Sequence, residues 1–274
     1  IDVGCRTSVL FSPSDLSCLW KQRDVPKLSE AALKLGVNIA AFAVGRQALR
    51  DRLDTVTLPE MNAATQTRMI GDTLRLGQIM YEGDWRPDAQ ALVHFGEFLR
   101  DRVGLDVITA YEPARLPSAA LWRSPIVYMT GHYAFELDEE ERAALRDYLR
   151  RGGFLFADAC CGRADFDASF RKLVRQLFPE GEMRRLPSNH GVFRGPPGFD
   201  LSRVGYKEAA LKDDPGRNEP ELWGLELEGR LVIVYSPYAL GCGLDGHTCY
   251  NCRGLLDEDA RKLAANLVLY ALTH

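Results

Sequence analysis

Long runs of any one kind are missing from this chain, and each absence removes a class of answer. There is no extended Lys/Arg run. With a formal charge of −4 and a pI near 5.8, the sequence has no electrostatic footprint for nucleic acid or for an anionic membrane. The longest clean apolar stretch, Val37 to Val44 broken by Asn38, falls well short of the about 20 residues that span a bilayer. The segment therefore reads as soluble, without membrane contact. Cysteine is sparse, with 7 in 274 residues, which is not the density of a disulfide scaffold. The chain begins at Ile1, inside what reads as a broken repeat. The expectation is a piece of a longer protein, with no visible targeting signal and no readable compartment.

What is present suffices for a substantial core in one large domain or two small ones, with no metal or disulfide needed merely to fold. An internal repeat organises it. Arg6, Ser12, Pro13, Leu16 and Cys18 align without a gap on Arg230, Ser236, Pro237, Leu240 and Cys242. In a second block Ala32, Lys34, Leu35, Asn38 and Ala43 align on Ala260, Lys262, Leu263, Asn266 and Ala271. Two ordered blocks favour duplication over chance. The offset grows by four residues between the blocks, so the second copy has the longer loop, and that loop contains Cys249 and Cys252. Residues 1–52 are then expected to be the carboxyl-terminal part of a preceding copy, the polar residues 53–72 a linker, and residues 73–274 a complete domain.

Within 73–274 strands and helices alternate, the pattern of a mainly parallel, doubly wound sheet covered on both faces. Strands are predicted at Leu74 to Tyr81, Asp106 to Tyr111, Pro125 to Thr130 and Phe154 to Asp158. A helix starts at Pro87, with Leu92, Phe95 and Leu99 on one face and Gly104 at its end. Asp138 and Glu141 form a capping box for a helix stopped by Gly152 and Gly153. Phe166, Phe170, Leu173, Val174 and Leu177 trace another helix, ended by Pro179. Leu225 to Glu228 and Leu231 to Tyr235 read as a hairpin turning at Gly229, before a closing helix.

Ligands of open parallel sheets bind beyond the carboxyl ends of the strands, and the chemically unusual residues cluster there. Strand ends carry Asp84, Trp85 and Arg86; Gly131 and His132; Asp158, Cys160 and Cys161; and Ser236, Tyr238 and Cys242. For any one of these residues, capping a turn is as good an explanation as function. Coincidence at four ends is less so.

The motifs Gly83-Asp84-Trp85-Arg86-Pro87, Tyr128-Met-Thr-Gly131-His132, Gly152-Gly153-Phe154-Leu-Phe-Ala-Asp158, Phe166-Asp167 and Tyr235-Ser236-Pro237 together resemble an uncharacterised bacterial domain family of unknown function, DUF4159. That family is placed with the class I glutamine-amidotransferase-like superfamily and often occurs in tandem in multidomain proteins. The resemblance spans residues 73–274, and residues 1–52 resemble the family's carboxyl-terminal part. It implies a flavodoxin-like three-layer α/β fold and no established substrate.

Working members of the superfamily hold a nucleophilic cysteine in Gly-x-Cys-x-Gly, with a downstream His-x-Glu. Asp158-Ala159-Cys160-Cys161-Gly162 has similar placement but Asp for the first glycine, and a neighbouring carboxylate raises a thiol pKa. No His-x-Glu follows, so glutaminase chemistry is disfavoured. A catalytic set of Cys160 or Cys161 with His190 or His132 as base stays open, as does a pair of packed thiols.

A second signal is Cys242-Gly-Leu-Asp-Gly-His247-Thr-Cys249-Tyr-Asn-Cys252. Cys-x-x-Cys lets two thiolates share one tetrahedral ion, and Cys242 and His247 can complete a zinc shell, or Cys160 and Cys161 replace either. A Cys249 to Cys252 disulfide, or uncoordinated thiols, fit the spacing equally. The third reading is a pocket of Asp84, Trp85, Arg86, His132, Asp158, Ser236 and Tyr238 for a small polar or sugar ligand. The composite expectation is a non-catalytic ligand-binding or assembly module of a larger bacterial protein that can contain zinc, its partners being other domains of the same polypeptide. A cysteine-dependent hydrolase is the alternative.

Overall fold

The computed structural model describes residues 2–3, 6–7, 12, 26–43, 73–109, 113–194, 198–246, 249 and 251–274. The chain divides into two compact units, Ile1–Gly71 and Asp72–His274. In the first, Asp2–Val3 pairs antiparallel with Arg6–Thr7, and Pro26–Ala43 is a helix. The segment expected to be a linker, residues 53–72, and the end of the expected preceding copy after residue 43 lie outside the described residues.

The second unit is an α/β domain. Its elements are β1 (Leu74–Met80), α1 (Ala91–Phe98, extended by a wider turn over Leu99–Val103), β2 (Val107–Thr109), β3 (Ala114–Arg115), α2 (Ala119–Trp122), β4 (Ile126–Gly131), α3 (Glu139–Arg150), β5 (Phe154–Ala159), α4 (Ala164–Leu177), β6 (Arg184–Arg185), α5 (Glu208–Leu211), β7 (Trp223–Leu227), β8 (Arg230–Ser236), α6 (Gly241–Asp245) and α7 (Asp257–Thr273). The sheet runs β2-β1-β4-β5-β8-β7-β6, with β3 pairing β1 beyond β2. The pairs β2–β1, β1–β4, β4–β5 and β5–β8 are parallel, while β7 and β6 add an antiparallel edge.

Every residue of β4 and of β5 is buried, as an unbroken apolar run dictates for central strands covered on both faces. One face packs Leu76, Tyr128 and Phe156 against Phe95 of α1 and Leu263 of α7. The other packs Val127, Leu155 and Ile233 against α3 and α4. On that second face Tyr81, Phe135, Phe166, Phe170 and Tyr235 form a continuous row of rings, with centroid spacings of 4.8, 5.0, 6.0 and 4.6 Å. From β1 the chain adds β2 on one side and then crosses to add β4 on the other, so the order of strand addition reverses between β1 and β4. A crevice opens at the carboxyl ends of strands at such a point. Among the described residues, no helix is long and apolar enough to cross a membrane.

Local chemistry explains the element ends. Asp138 accepts from the Glu141 amide at 2.8 Å while the Glu141 side chain accepts from the Asp138 amide at 2.9 Å, the reciprocal cap expected. Gly104 closes the first helix with φ 76°, and Glu228 and Gly229, with φ 52° and 79°, make the two left-handed positions of a tight hairpin turn. Pro87 corrects the sequence reading, because the helix begins at Ala91 instead. Its first turn is capped from a distance, the Gln90 amide donating to Asp245 Oδ2 at 2.8 Å, and Asp88 turns inward.

Gly131 ends β4 where nothing larger fits. A Cβ there would lie 2.1 Å from the Tyr81 hydroxyl and 2.9 Å from the Asp84 carbonyl oxygen. Overpacking of this kind costs about 1–3 kcal/mol or more. Gly131→Ala is expected to lower the urea midpoint of this domain by an amount in that range, with an unchanged denaturant slope; an unaltered midpoint would contradict the packing described.

Candidate functional site

The end of β5 leads into a tight turn, Cys160–Gly162, in which Cys161 has φ 53° and ψ 16°. A cysteine in the left-handed region is uncommon and costs about 1 kcal/mol or more. The turn is held by its surroundings. Cys161 O accepts from the Arg253 amide at 3.2 Å, and Gly162 sits so close to Arg253 that a Cβ would lie 2.7 Å from that residue's own Cβ. The long loop after β8 is clasped at both ends, Ala239 N–H donating to Arg253 O at 3.0 Å and Leu255 N–H to Ala239 O at 3.3 Å. Cys242, Cys249 and Cys252 are thereby brought back onto the β5 turn.

Four sulfurs meet there. The Sγ atoms of Cys161, Cys242, Cys249 and Cys252 all lie within 4.8 Å of one another, with Cys161 to Cys242 at 3.7 Å and Cys161 to Cys249 at 2.9 Å. Four thiolates about 2.3 Å from a tetrahedral zinc have sulfur–sulfur edges of about 3.8 Å, so the cluster has the size of a metal shell. Cys249 and Cys252 are both thiols, and the Cys249 to Cys252 disulfide is not formed. Cys161 is one half of a disulfide, and a metal can use its sulfur only after reduction. Of the four ligands expected from sequence, His247 lies outside the described residues; Cys161 is the neighbour of the other three.

Neighbouring thiols and burial raise the proton affinity of Cys160, Cys249 and Cys252. Cys249 is pushed up to about 12, first by its neighbour Cys242, with burial contributing. Cys252 is raised by Cys242, then Cys249, then burial. Burial raises Cys160 most, followed by Cys242 and Asp88, with Asp158 a smaller cause. The carboxylate at the departed glycine position therefore acts in the expected direction without being the main cause.

Asp158 has a different principal role. It is fully buried, accepts from the Tyr128 hydroxyl at 2.5 Å, and accepts from the amides of Leu240 and Gly241 at 2.7 and 3.2 Å. Burial lifts its pKa to about 6, against the pull of these hydrogen bonds. It ties β4, β5 and the loop carrying Cys242 into one body. Asp88, which the sequence reading did not single out, is 2 % exposed and its Oδ2 accepts from the Cys160 thiol at 3.3 Å. Its pKa is raised, by burial first and then by Cys242 and Asp158. The only sequence signal for it was an acid beside Pro87 at the crevice.

At the crevice between β1 and β4, Asp84 and His132 pair. His132 Nδ1–H donates to Asp84 Oδ2 at 2.6 Å, and the His132 amide donates to the same oxygen at 3.3 Å. The Tyr81 hydroxyl, 3.0 Å from the carbonyl oxygens of both Asp84 and Thr130, and the Gln78 side chain, donating to Trp85 O at 2.9 Å, fix the loop that presents Asp84. A ring nitrogen of His132 and the sulfurs of Cys160 and Cys161 lie within 4.8 Å of one another.

His190 is placed elsewhere. It caps a short turn, accepting from the Val192 amide at 3.2 Å, and packs on Tyr270 at 5.4 Å; burial lowers its pKa. His132 is thus the histidine brought to Cys160 and Cys161. The seven expected pocket residues also divide. Asp158 is interior, and Ser236 closes a turn with Tyr238, donating to its carbonyl oxygen at 2.6 Å. Tyr238 is buried edge-on against Tyr206 at 5.0 Å, with Arg217 over its ring at 4.8 Å. Asp84, Trp85 and Arg86 reach solvent, Arg86 lying 5.9 Å from the Trp85 ring centre.

A doubly wound α/β domain with a polar, cysteine-rich strand-end site is thus defined. Residues 75–272 match the family described as Domain of unknown function (DUF4159), and the chain belongs to that family. No curated protein matches it significantly. A solved structure of a ThuA-like protein from Bacteroides uniformis is similar at 12 % identity, over 73 % of this chain and 90 % of that one, with a TM-score of 0.37.

Asp158→Ala removes an acceptor of three buried hydrogen bonds. The expected loss is about 3 kcal/mol, read as a lowered denaturation midpoint, with Asp158→Asn losing less because it keeps an acceptor oxygen. Equal losses in the two variants would show that the hydrogen bonds are not what matters.

Proposed function

We propose that residues 73–274 form a flavodoxin-like, class I glutamine-amidotransferase-like domain that binds a thiophilic divalent ion, zinc by preference, and serves as a non-catalytic binding or assembly module of a larger bacterial multidomain protein. The fold reading is supported by the order of the parallel strands β2-β1-β4-β5-β8, leaving aside the short β3 beside β1, which is second, first, third, fourth, fifth in chain order, the flavodoxin-like doubly wound arrangement. The metal reading is carried by the four sulfurs of Cys161, Cys242, Cys249 and Cys252. Soft thiolates select zinc among common divalent ions, and a closed four-ligand shell is structural. Here it would cross-link the β5 turn to the loop after β8. Asp84, Trp85 and Arg86, on the exposed lip of the crevice, form the surface suited to a small polar or sugar ligand. The aligned blocks in residues 1–52 support a tandem arrangement, with the preceding copy as the nearest partner.

A second reading follows from one observation. Cys161 occupies a strained turn after a parallel strand, the placement of an activated nucleophile, and the Asp84–His132 pair stands beside it. This is the hydrolase alternative with His132 in place of His190 as base. The two readings compete for Cys161.

The test is elemental analysis of this 274-residue chain purified without chelator under a phosphine, which gives two electrons to the disulfide and, with water, leaves two thiols and a phosphine oxide. Zinc in at least stoichiometric amount is expected, lost in a Cys249→Ser, Cys252→Ser double variant. Metal-free protein whose Cys161 alkylates rapidly, and slowly after His132→Ala, would overturn the module in favour of the hydrolase.

A further inference from the structure

The four-sulfur cluster does not exhaust the donors. Two further groups adjoin it, His132 with Cys160 and Cys161, and Asp88 with Cys160 and Cys242, each with its donor atoms within 4.8 Å of one another. Both contain Cys160, which the four-sulfur shell leaves out, and each shares one sulfur with that shell. Cys160 lies 3.6 Å from Cys242, and Cys242 lies 3.7 Å from Cys161. These three sulfurs make a second triangle of metal-shell size.

Resting on the metal reading, we propose that the reduced site holds two divalent ions, Cys161 and Cys242 bridging them. Cys249 and Cys252 complete the first ion, and Cys160, His132 and Asp88 supply the second.

Two physical arguments support it. First, the supporting contact of His132 is of the kind that orients a metal ligand. The Nδ1 contact with Asp84 is the carboxylate–histidine support that holds the ring of a metal-ligating histidine, and Asp84 is itself held in place through the Tyr81 hydroxyl on its carbonyl oxygen. Second, charge balance asks for more than one cation. Four thiolates around one divalent ion remain doubly negative, and two buried carboxyl groups, Asp88 and Asp158, lie alongside. Of the described cations, Arg253 pairs with Asp213 at 2.9 Å, and Lys207, which also feels Cys252 and Cys242, is shared with Asp257 at 3.0 Å. A bound cation is often the largest charge in such a site and reverses the local preference for protonated donors.

Titration of reduced, metal-free full chain with Co²⁺ tests this without any variant. The sulfur-to-cobalt absorption is expected to rise to a break at two equivalents. The high-spin Co²⁺ paramagnetic resonance signal should rise over the first equivalent and fall over the second, as shared sulfurs couple the two ions. A break at one equivalent would overturn the second ion and leave the zinc module standing. No thiolate absorption at all would overturn both. Two equivalents with additive resonance intensity would refute the bridging. Cys160→Ser and His132→Ala should each bring the break to one equivalent, and two retained equivalents in either would refute that ligand.

Discussion

The carboxylate of Asp158 is the constraint on which the rest of the strand-end site depends. A carboxyl group with no exposure is expensive unless its oxygens are satisfied, and here both are, by Tyr128 on β4 and by the two amides that begin α6. Those amides precede Cys242 by two residues or fewer, while Asp158 precedes Cys160 by two. One side chain thus sets the separation between the two sources of sulfur. Glycine at 241 is part of the same device, since a Cβ there would lie 2.5 Å from both Asp88 Oδ2 and the Tyr128 hydroxyl. The result is a dense, low-dielectric knot of acids and thiols at the end of a parallel sheet.

Such a knot has two stable conditions. Without an ion its thiols and Asp88 hold their protons, as the raised proton affinities of Cys160, Cys249, Cys252 and Asp88 describe. With a divalent ion present, the proximity that disfavours thiolates favours them, because each sulfur gives up its proton to a charge closer than any other. Burial alone does not choose between these conditions.

Much of the fold was legible because it rests on local rules. The capping box at Asp138, the left-handed glycines and the uninterrupted apolar strands each follow from a few neighbouring residues. What was not legible depended on distant partners. Pro87 looked like a helix start, yet the helix waits for Ala91 because Asp245, far along the chain, supplies the cap and Asp88 is drawn in towards Cys160. The two-residue strands Ala114–Arg115 and Arg184–Arg185 are too short for any period to show. In the site, the meeting of four strand ends was readable from topology, but which side chains faced inward was not. Asp158, Ser236 and Tyr238 carry the same polar signature as Asp84 and Arg86, and only tertiary packing separates struts from surface. Cys161 was among the alternatives, whereas His190 was drawn in by residue type alone.

The loop between Cys242 and Cys252 carries the last step. Closing a loop of this length costs conformational entropy, and an ion that had to close it unaided would lose affinity accordingly. Here backbone hydrogen bonds between Ala239 and Arg253, and between Leu255 and Ala239, have already brought the ends together beside the β5 turn. The sulfurs are therefore preorganised, and their binding energy is available for affinity and specificity. The aligned segment at the start of the chain has Cys18 opposite Cys242 but no Cys-x-x-Cys after it, its loop being four residues shorter. In residues 73–274 the longer loop, the clasp and the Asp158 strut occur together.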